Sequence, residues 1–163
     1  MGELASIWQN PLYYYVRRLA RDEEDTLDIM QDTWVLVIRR FRQLRNPAAF
    51  PAWLFKIARN VAHSHTRKSR RQEIGAEDEP VPQRMQEESS DPLAEFTAED
   101  VHRALGKLTM AHRDCLTLHF IEGFSLLEVS QIAGVPLGTV KSRLYHAKKC
   151  LRRALEEEVN RDE

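Results

Sequence analysis

The sequence predicts an all-α protein: two small helical domains joined by a flexible acidic linker, the C-terminal one containing a helix-turn-helix. Three observations carry this. Apolar residues recur at helical spacing on both sides of a polar gap. No run of period-two alternation is bounded by turns, so strands are not expected. The gap between the helical stretches is acidic and broken by Pro80, Pro82 and Pro92, a composition that cannot bury enough apolar surface to offset the entropy of ordering it.

In chain order, Asn10-Pro11 reads as the entrance of a first helix reaching about residue 20. The run Tyr13-Tyr14-Tyr15 fits no motif and reads as partly buried in the first helix pair. A second helix, over about 25–44, places Leu27, Met30, Trp34, Val37, Ile38 and Phe41 at helical spacing. Asn46-Pro47 punctuates the chain, and Pro51 opens a third helix to about residue 68 that buries Trp53 or Leu54, with Ile57 and Val61. Residues 1–71 thus form one compact domain. The linker occupies 72–96. Its residues 73–94, extended at roughly 3.3 Å each, reach about 70 Å, and the two domains are expected to tumble nearly independently on an open tether. The competing expectation is an acidic tether folded back onto the basic faces.

The second domain, 97–157, is expected to hold helices near 98–108, 111–121, 125–132 and 136–157, followed by an acidic tail at 158–163. Ser125 with Glu128 forms a capping box ahead of Leu126, Val129 and Ile132, so a helix starts there. Ala133-Gly134-Val135 breaks it, and Gly134 can take the left-handed conformation that a tight turn requires. Pro136 suits the first turn of the following helix. That helix offers Thr139, Lys141, Ser142, Arg143, Tyr145 and His146 on its early turns, the part of a helix-turn-helix that enters the major groove.

Charge is distributed in blocks that a formal total of −1 conceals. Residues 56–72 carry +6 with no acid, residues 73–100 carry −9, residues 139–155 carry +6 with no acid, and residues 156–163 carry −4. Two basic blocks in a nearly neutral chain predict two separate contacts with a polyanion. No apolar run approaches the ~20 residues of a membrane span and no secretory leader is recognisable, so membrane insertion is not expected. Cys115 and Cys150 are too few and too far apart for a short metal-type pair, which favours reduced thiols in a cytoplasm. Each domain is small enough for its core to gain stability from a partner.

At this point the chain resembles the extracytoplasmic-function (ECF) sigma factors of bacterial RNA polymerase, of the sigma-70 family. In the second domain the resemblance rests on Leu108, Arg113, Leu116, Leu118, Glu122-Gly123, Ser125, Glu128, Val129, Ala133, Gly138 through Leu144, Ala147 and Leu151. In the first it rests on Asp28 through Trp34 and on Ala52 through Asn60. The resemblance implies a sigma factor that binds core polymerase and directs promoter-specific initiation, with 1–71 as region 2 and 97–157 as region 4. It implies that Asp28, Gln31 and Asp32, together on one helix face, contact the β′ clamp coiled coil, and that the second domain meets the β flap. It also implies that Asn46, Phe50, Trp53, Lys56, Arg59, Asn60 and Arg67 serve the −10 element. Thr139, Lys141, Ser142, Arg143, Tyr145, His146 and Lys149 then serve the −35 element, and an anti-sigma factor is an implied partner.

The residue chemistry agrees. Asn60 can pair with a base edge, and Phe50, Trp53 and Phe55 offer stacking surface beside Lys56 and Arg59, although Trp53 and Phe55 suit a core equally well. Lys141 and Arg143 can donate to base edges or phosphates, while Lys148, Lys149, Arg152 and Arg153 suit backbone contacts. Departures from the family pattern are His146 in place of a common arginine, Leu27 in place of a usual acid, and Asp32 in place of a usual glutamate. His112, Cys115 and His119 share a helical face, but no fourth ligand accompanies them and Cys115 falls at an apolar position. No metal, cofactor or enzymatic activity is therefore expected, and the free protein is expected to be monomeric and cytoplasmic. An autonomous helix-turn-helix regulator is the alternative, separated by having no need of the Asp28, Gln31 and Asp32 face.

Overall fold

The structure is a computed structural model that describes residues 2–73 and 97–159. Among the described residues all regular structure is helical. The first domain is built from α1 (Gly2–Leu19), α2 (Glu23–Arg40) and α3 (Phe50–Glu73), with short 3-10 turns at Phe41–Gln43 and Pro47–Ala49 between the last two. The second holds α4 (Ala98–Gly106), α5 (Met110–Leu116), α6 (Leu126–Ala133) and α7 (Leu137–Val159), and α5 runs on into a π-helical turn at Thr117–Ile121.

The first helix departs from expectation. It begins at Gly2, and Pro11 lies inside it rather than at its entrance. An interior proline removes one backbone hydrogen bond and costs about 3 kcal/mol. The helix continues because its apolar face does: Leu4 and Trp8 are half-buried, and Leu12, Tyr15, Val16 and Leu19 are buried, on one stripe that crosses the proline. The tyrosine run divides by face, with Tyr15 fully buried, Tyr13 half-buried and Tyr14 exposed.

Helix α2 starts where Asp22 caps it, its carboxylate accepting from the Asp25 amide at 2.8 Å. Met30 and Val37 enter the core as expected, whereas Leu27 and Ile38 are 56 % and 64 % exposed. Asn46 caps the turn at Pro47–Ala49 by accepting from the Ala48 amide at 3.1 Å. The first core is completed by an aromatic cluster in which Phe50 meets Trp8, Phe41 and Trp53 at centroid distances of 6.2, 6.2 and 6.0 Å. In the second domain α7 packs against α4, α5 and α6, and buries Val140, Leu144, Ala147, Leu151, Ala154 and Leu155.

The two domains do not stand apart, as an open tether would have them. Helix α3 lies against α6, and α1 packs on α4, α5 and the π-helical turn. The ring of Phe55 on α3 meets Phe124 edge to face, and the apolar cores are continuous across the seam. The physical reason for the departure is local: each domain presents buried groups that find their partners only in the other. The linker expected at 72–96 lies, beyond the end of α3, outside the described residues, and so does most of the acidic tail.

Candidate nucleic-acid interface

The helix-turn-helix forms as its local signals dictate. The Ser125 hydroxyl accepts from the Glu128 amide at 3.2 Å, and the Glu128 carboxylate accepts from the Ser125 amide at 2.8 Å. Gly134 closes α6 in the left-handed region at φ 67°, and the Ser130 hydroxyl donates to the Val135 carbonyl at 2.6 Å across the turn. Pro136 stands just ahead of α7, not within its first turn, and its carbonyl accepts the amides of Thr139 and Val140.

On α7, Thr139, Ser142, Tyr145, His146 and Lys149 share the face opposite the buried stripe, and Lys141 and Arg143 flank them on opposite sides. Ser142 is only 9 % exposed, and its buried hydroxyl has no hydrogen-bond partner among the described residues. The Lys149 ammonium lies 4.6 Å over the Tyr145 ring, and the His146 ring stacks on His112 of α5 at 6.3 Å. Arg143 stands toward Cys115, whose thiol burial pushes up to about 11. The histidine and cysteine face of α5 is thereby divided: His112 stacks, Cys115 is buried, and the His119 ring nitrogen lies 2.7 Å from the Phe124 carbonyl. Among the described residues no three His, Cys, Asp or Glu side chains converge as a metal site would need.

On α3 the circumference divides into three contiguous stripes. Leu54, Ile57, Ala58, Val61 and Ala62 face the first core. Lys56, Asn60 and Arg67 are exposed together, with half-buried Trp53 beside them. Phe55, Arg59 and His63, the third stripe, meet the second domain. Asn46 is exposed on the adjoining turn, whereas Phe50 is buried in the aromatic cluster, which leaves its ring no face for a base in this arrangement.

Arg59 is likewise not free for a strand. Its Nε donates to Asp114 Oδ2 at 2.5 Å, and His63 Nε2 lies 3.3 Å from the same oxygen. Tyr15 donates to Asp114 Oδ1 at 2.7 Å. Asp114 is fully buried. Burial alone would raise its carboxyl, but the His63 hydrogen bond, the Arg59 charge and the Tyr15 hydroxyl outweigh that and hold it below the ordinary carboxylate range. The Tyr15 phenol is pushed well above its ordinary value by burial and by the neighbouring carboxylate, so it remains a donor. Around this hub Arg113 donates to the Arg18 carbonyl at 3.1 Å, and Arg18 pairs with Glu122 at 3.6 Å. Sequence reasoning passed over Asp114. Its signal was an acid one helical turn before the buried Leu118, a position where a charge requires a partner.

Asp28, Gln31 and Asp32 are all exposed on α2. The Asp32 carboxylate lies 3.0 Å from His65 Nε2, whose other nitrogen is 3.6 Å from the buried Asp25. Leu27, Gln31, Val35 and Ile38, at helical spacing, form an exposed stripe beside the acids. It borders an open groove of about 410 Å³ between α1 and α2, whose lining includes Met30 and Trp34. Leu27 and Ile38 share the helical spacing of Met30 and Val37 yet stay outside the core.

Comparison with known proteins matches the two domains separately. A family model for sigma-70 region 2 covers residues 4–72, and one for sigma-70 region 4 covers residues 98–151. The chain belongs to the sigma-70 family. It is similar to the ECF RNA polymerase sigma factor SigL of Mycobacterium tuberculosis (strain H37Rv), at 32 % identity over 90 % of this chain and 83 % of the relative. It is also similar to RNA polymerase sigma factor SigV of Bacillus subtilis (strain 168), at 29 % identity over 85 % of this chain and 80 % of the relative. Among solved structures, the sigma factor RpoE of Bartonella quintana, in complex with the anti-sigma factor NepR, matches with a TM-score of 0.76 at 26 % identity, over 95 % of this chain and 96 % of that one. CnrH in complex with the cytosolic domain of CnrY matches with a TM-score of 0.68 at 25 % identity, over 96 % and 87 % of the two chains. The protein is an ECF sigma factor, and as such it binds core RNA polymerase and directs promoter-specific transcription.

Proposed function

We propose that this sigma factor divides promoter reading between two helical stripes. Lys56, Asn60 and Arg67 of α3, with Trp53 and Asn46 beside them, take the −10 strand. Thr139, Tyr145, His146 and Lys149 of α7, flanked by Lys141 and Arg143, take the −35 duplex. The observation that carries this reading is that each stripe is cationic and free of acids, with Lys56, Asn60, Arg67 and Lys149 exposed and Thr139, Lys141, Arg143, Tyr145 and His146 half-buried. Opened DNA demands stacking and backbone contacts, which α3 offers. A duplex demands a helix that can enter the major groove, which α7 offers.

The exposed stripe Leu27, Gln31, Val35 and Ile38, edged by Asp28 and Asp32, is the proposed surface for the β′ clamp coiled coil, and the second domain is the proposed partner of the β flap. An anti-sigma factor is proposed as a further partner, supported by the likeness to RpoE, whose structure was solved in complex with the anti-sigma factor NepR. The chain is read as a specificity subunit without enzymatic activity of its own, as a monomer when free, and as acting in the cytoplasm. No helix among the described residues is long and apolar enough to cross a membrane.

Run-off transcription with core polymerase tests the reading. Wild-type protein should confer initiation on a promoter selected from genomic fragments, and core alone should not. Asn60→Ala should reduce initiation with −35 duplex binding intact, and Lys141→Ala should weaken −35 binding. Equal loss of −35 binding in the two variants would overturn the division.

A further inference from the structure

Arg59 and His63 lie on α3 next to the exposed stripe proposed for the −10 strand, yet both are held by a carboxylate from the other domain. Asp114 brings to them what a backbone phosphate would bring: an anionic group with oxygens placed for Arg and His donors. It differs from a phosphate in being tethered to the same chain, so it competes as an intramolecular ligand at high effective concentration. The surroundings fit a built contact. Asp114 is fully buried, its second oxygen is taken by Tyr15, and Phe55 and Phe124 close over the same seam.

We propose that Asp114 is an internal competitor of promoter DNA: it occupies on Arg59 and His63 the place of a −10 phosphate, and so holds the free sigma factor closed. Closure and strand binding through Arg59 exclude each other because the closed seam leaves the Arg59 side chain only 12 % exposed, with no room for a strand to reach it. A single strand therefore favours the open form by mass action, and the closed form lowers apparent affinity by the fraction of molecules that are open. The inference rests on the reading of α3 as the −10 helix.

The test uses the full chain, labelled with a fluorescent donor on α2 and an acceptor on the exposed end of α7. Asp114→Asn keeps the size and a hydrogen-bonding oxygen but removes the charge. It should lower transfer efficiency, and it should tighten binding of a random single-stranded oligodeoxynucleotide of about twelve nucleotides. A gain of about tenfold corresponds to a closed form that outnumbers the open one by roughly ten to one. Arg59→Gln combined with Asp114→Asn should open the molecule equally but lose that gain in affinity. Adding the oligonucleotide to unaltered protein should itself lower transfer, a readout that needs no variant to fold. If Asp114→Asn, folded by circular dichroism, leaves both distance and affinity unchanged, or if saturating oligonucleotide leaves the wild-type distance unchanged, the proposal is overturned. Failure of the −10 reading would look different: Asp114→Asn would open the chain without tighter strand binding, and Asn60→Ala would leave initiation intact.

Discussion

Phe55 of α3 and Phe124, at the mouth of the helix-turn-helix, meet edge to face with ring centroids 5.0 Å apart. Neither ring belongs to one domain alone. Phe55 also lies 4.9 Å from Tyr15, whose hydroxyl reaches Asp114, so apolar and ionic parts of the seam share a wall. Apolar contact supplies adhesion there, and the buried carboxylate fixes which groups must face each other.

Phe124→Ala should therefore uncouple the domains before it unfolds either. Truncating a buried phenylalanine costs about 3–5 kcal/mol in a single core. Here much of that loss falls on the contact between domains. Calorimetry should resolve one transition in the wild type and two in the variant, with the particle expanded in small-angle scattering. One unbroken transition in the variant would contradict the shared-wall account.

Acid should open the seam through Asp114. A carboxyl held below its ordinary value in the closed state contributes stability above its unfolded value, near 4, and loses it as pH falls through the closed-state value. The Asp114 contribution to closure should thus be constant from neutrality to about pH 5 and decline below about pH 4. Asp114→Asn should be open throughout, with no corresponding step; a step of equal size in that variant would assign the effect to other carboxylates.

The proposed clamp surface can be separated from the core of α2 by stability. Leu27 and Ile38 are more than half exposed, so replacing both with alanine should change unfolding free energy by no more than about 0.5 kcal/mol each. Affinity for core polymerase should fall, as it should for Asp28→Ala with Gln31→Ala and Asp32→Ala, where truncation of a central contact can cost ~2 kcal/mol. Equilibrium binding by labelled core and chemical denaturation are the two measurements. Lost stability with unchanged affinity would return these residues to a structural role.

The turn of the helix-turn-helix should be sensitive to conformation rather than to space. A Cβ at Gly134 meets no atom within 4 Å, yet the residue sits at φ 67°. Gly134→Ala should cost about 1–2 kcal/mol, and Ser125→Ala about 1 kcal/mol through its lost cap. Both should lower the melting temperature with the helical content of the folded protein unchanged. A neutral Gly134→Ala would mean the turn relaxes out of the left-handed region.

Features governed by neighbours in sequence were legible from the sequence. The Ser125 and Glu128 box, the Gly134 turn and the apolar stripe of α3 depend on residues within a few positions of one another, and each stands where the pattern put it. Pro11 misled because a local breaking signal was overridden by the stripe from Trp8 to Leu19, a tertiary effect. Leu27 and Ile38 show a second limit: periodicity reports an apolar face but not whether anything covers it. Docking of the domains was hidden because its key pairs, Tyr15 with Asp114 and Arg59 with Asp114, are separated by 99 and 55 positions. Composition of the intervening acidic segment spoke only for reach.

The three stripes of α3 bear on how such a protein can diverge. Core, seam and the exposed edge proposed for readout share one helix and between them leave no idle face along its middle turns. A substitution there is answerable to packing, to closure or to promoter choice. On the proposed reading, new promoter preferences are channelled through Lys56, Asn60, Arg67 and their immediate neighbours, while Phe55, Arg59 and His63 change in step with Phe124 and Asp114. Paralogues that acquire separate regulons should accordingly vary along one edge of this helix and covary along another.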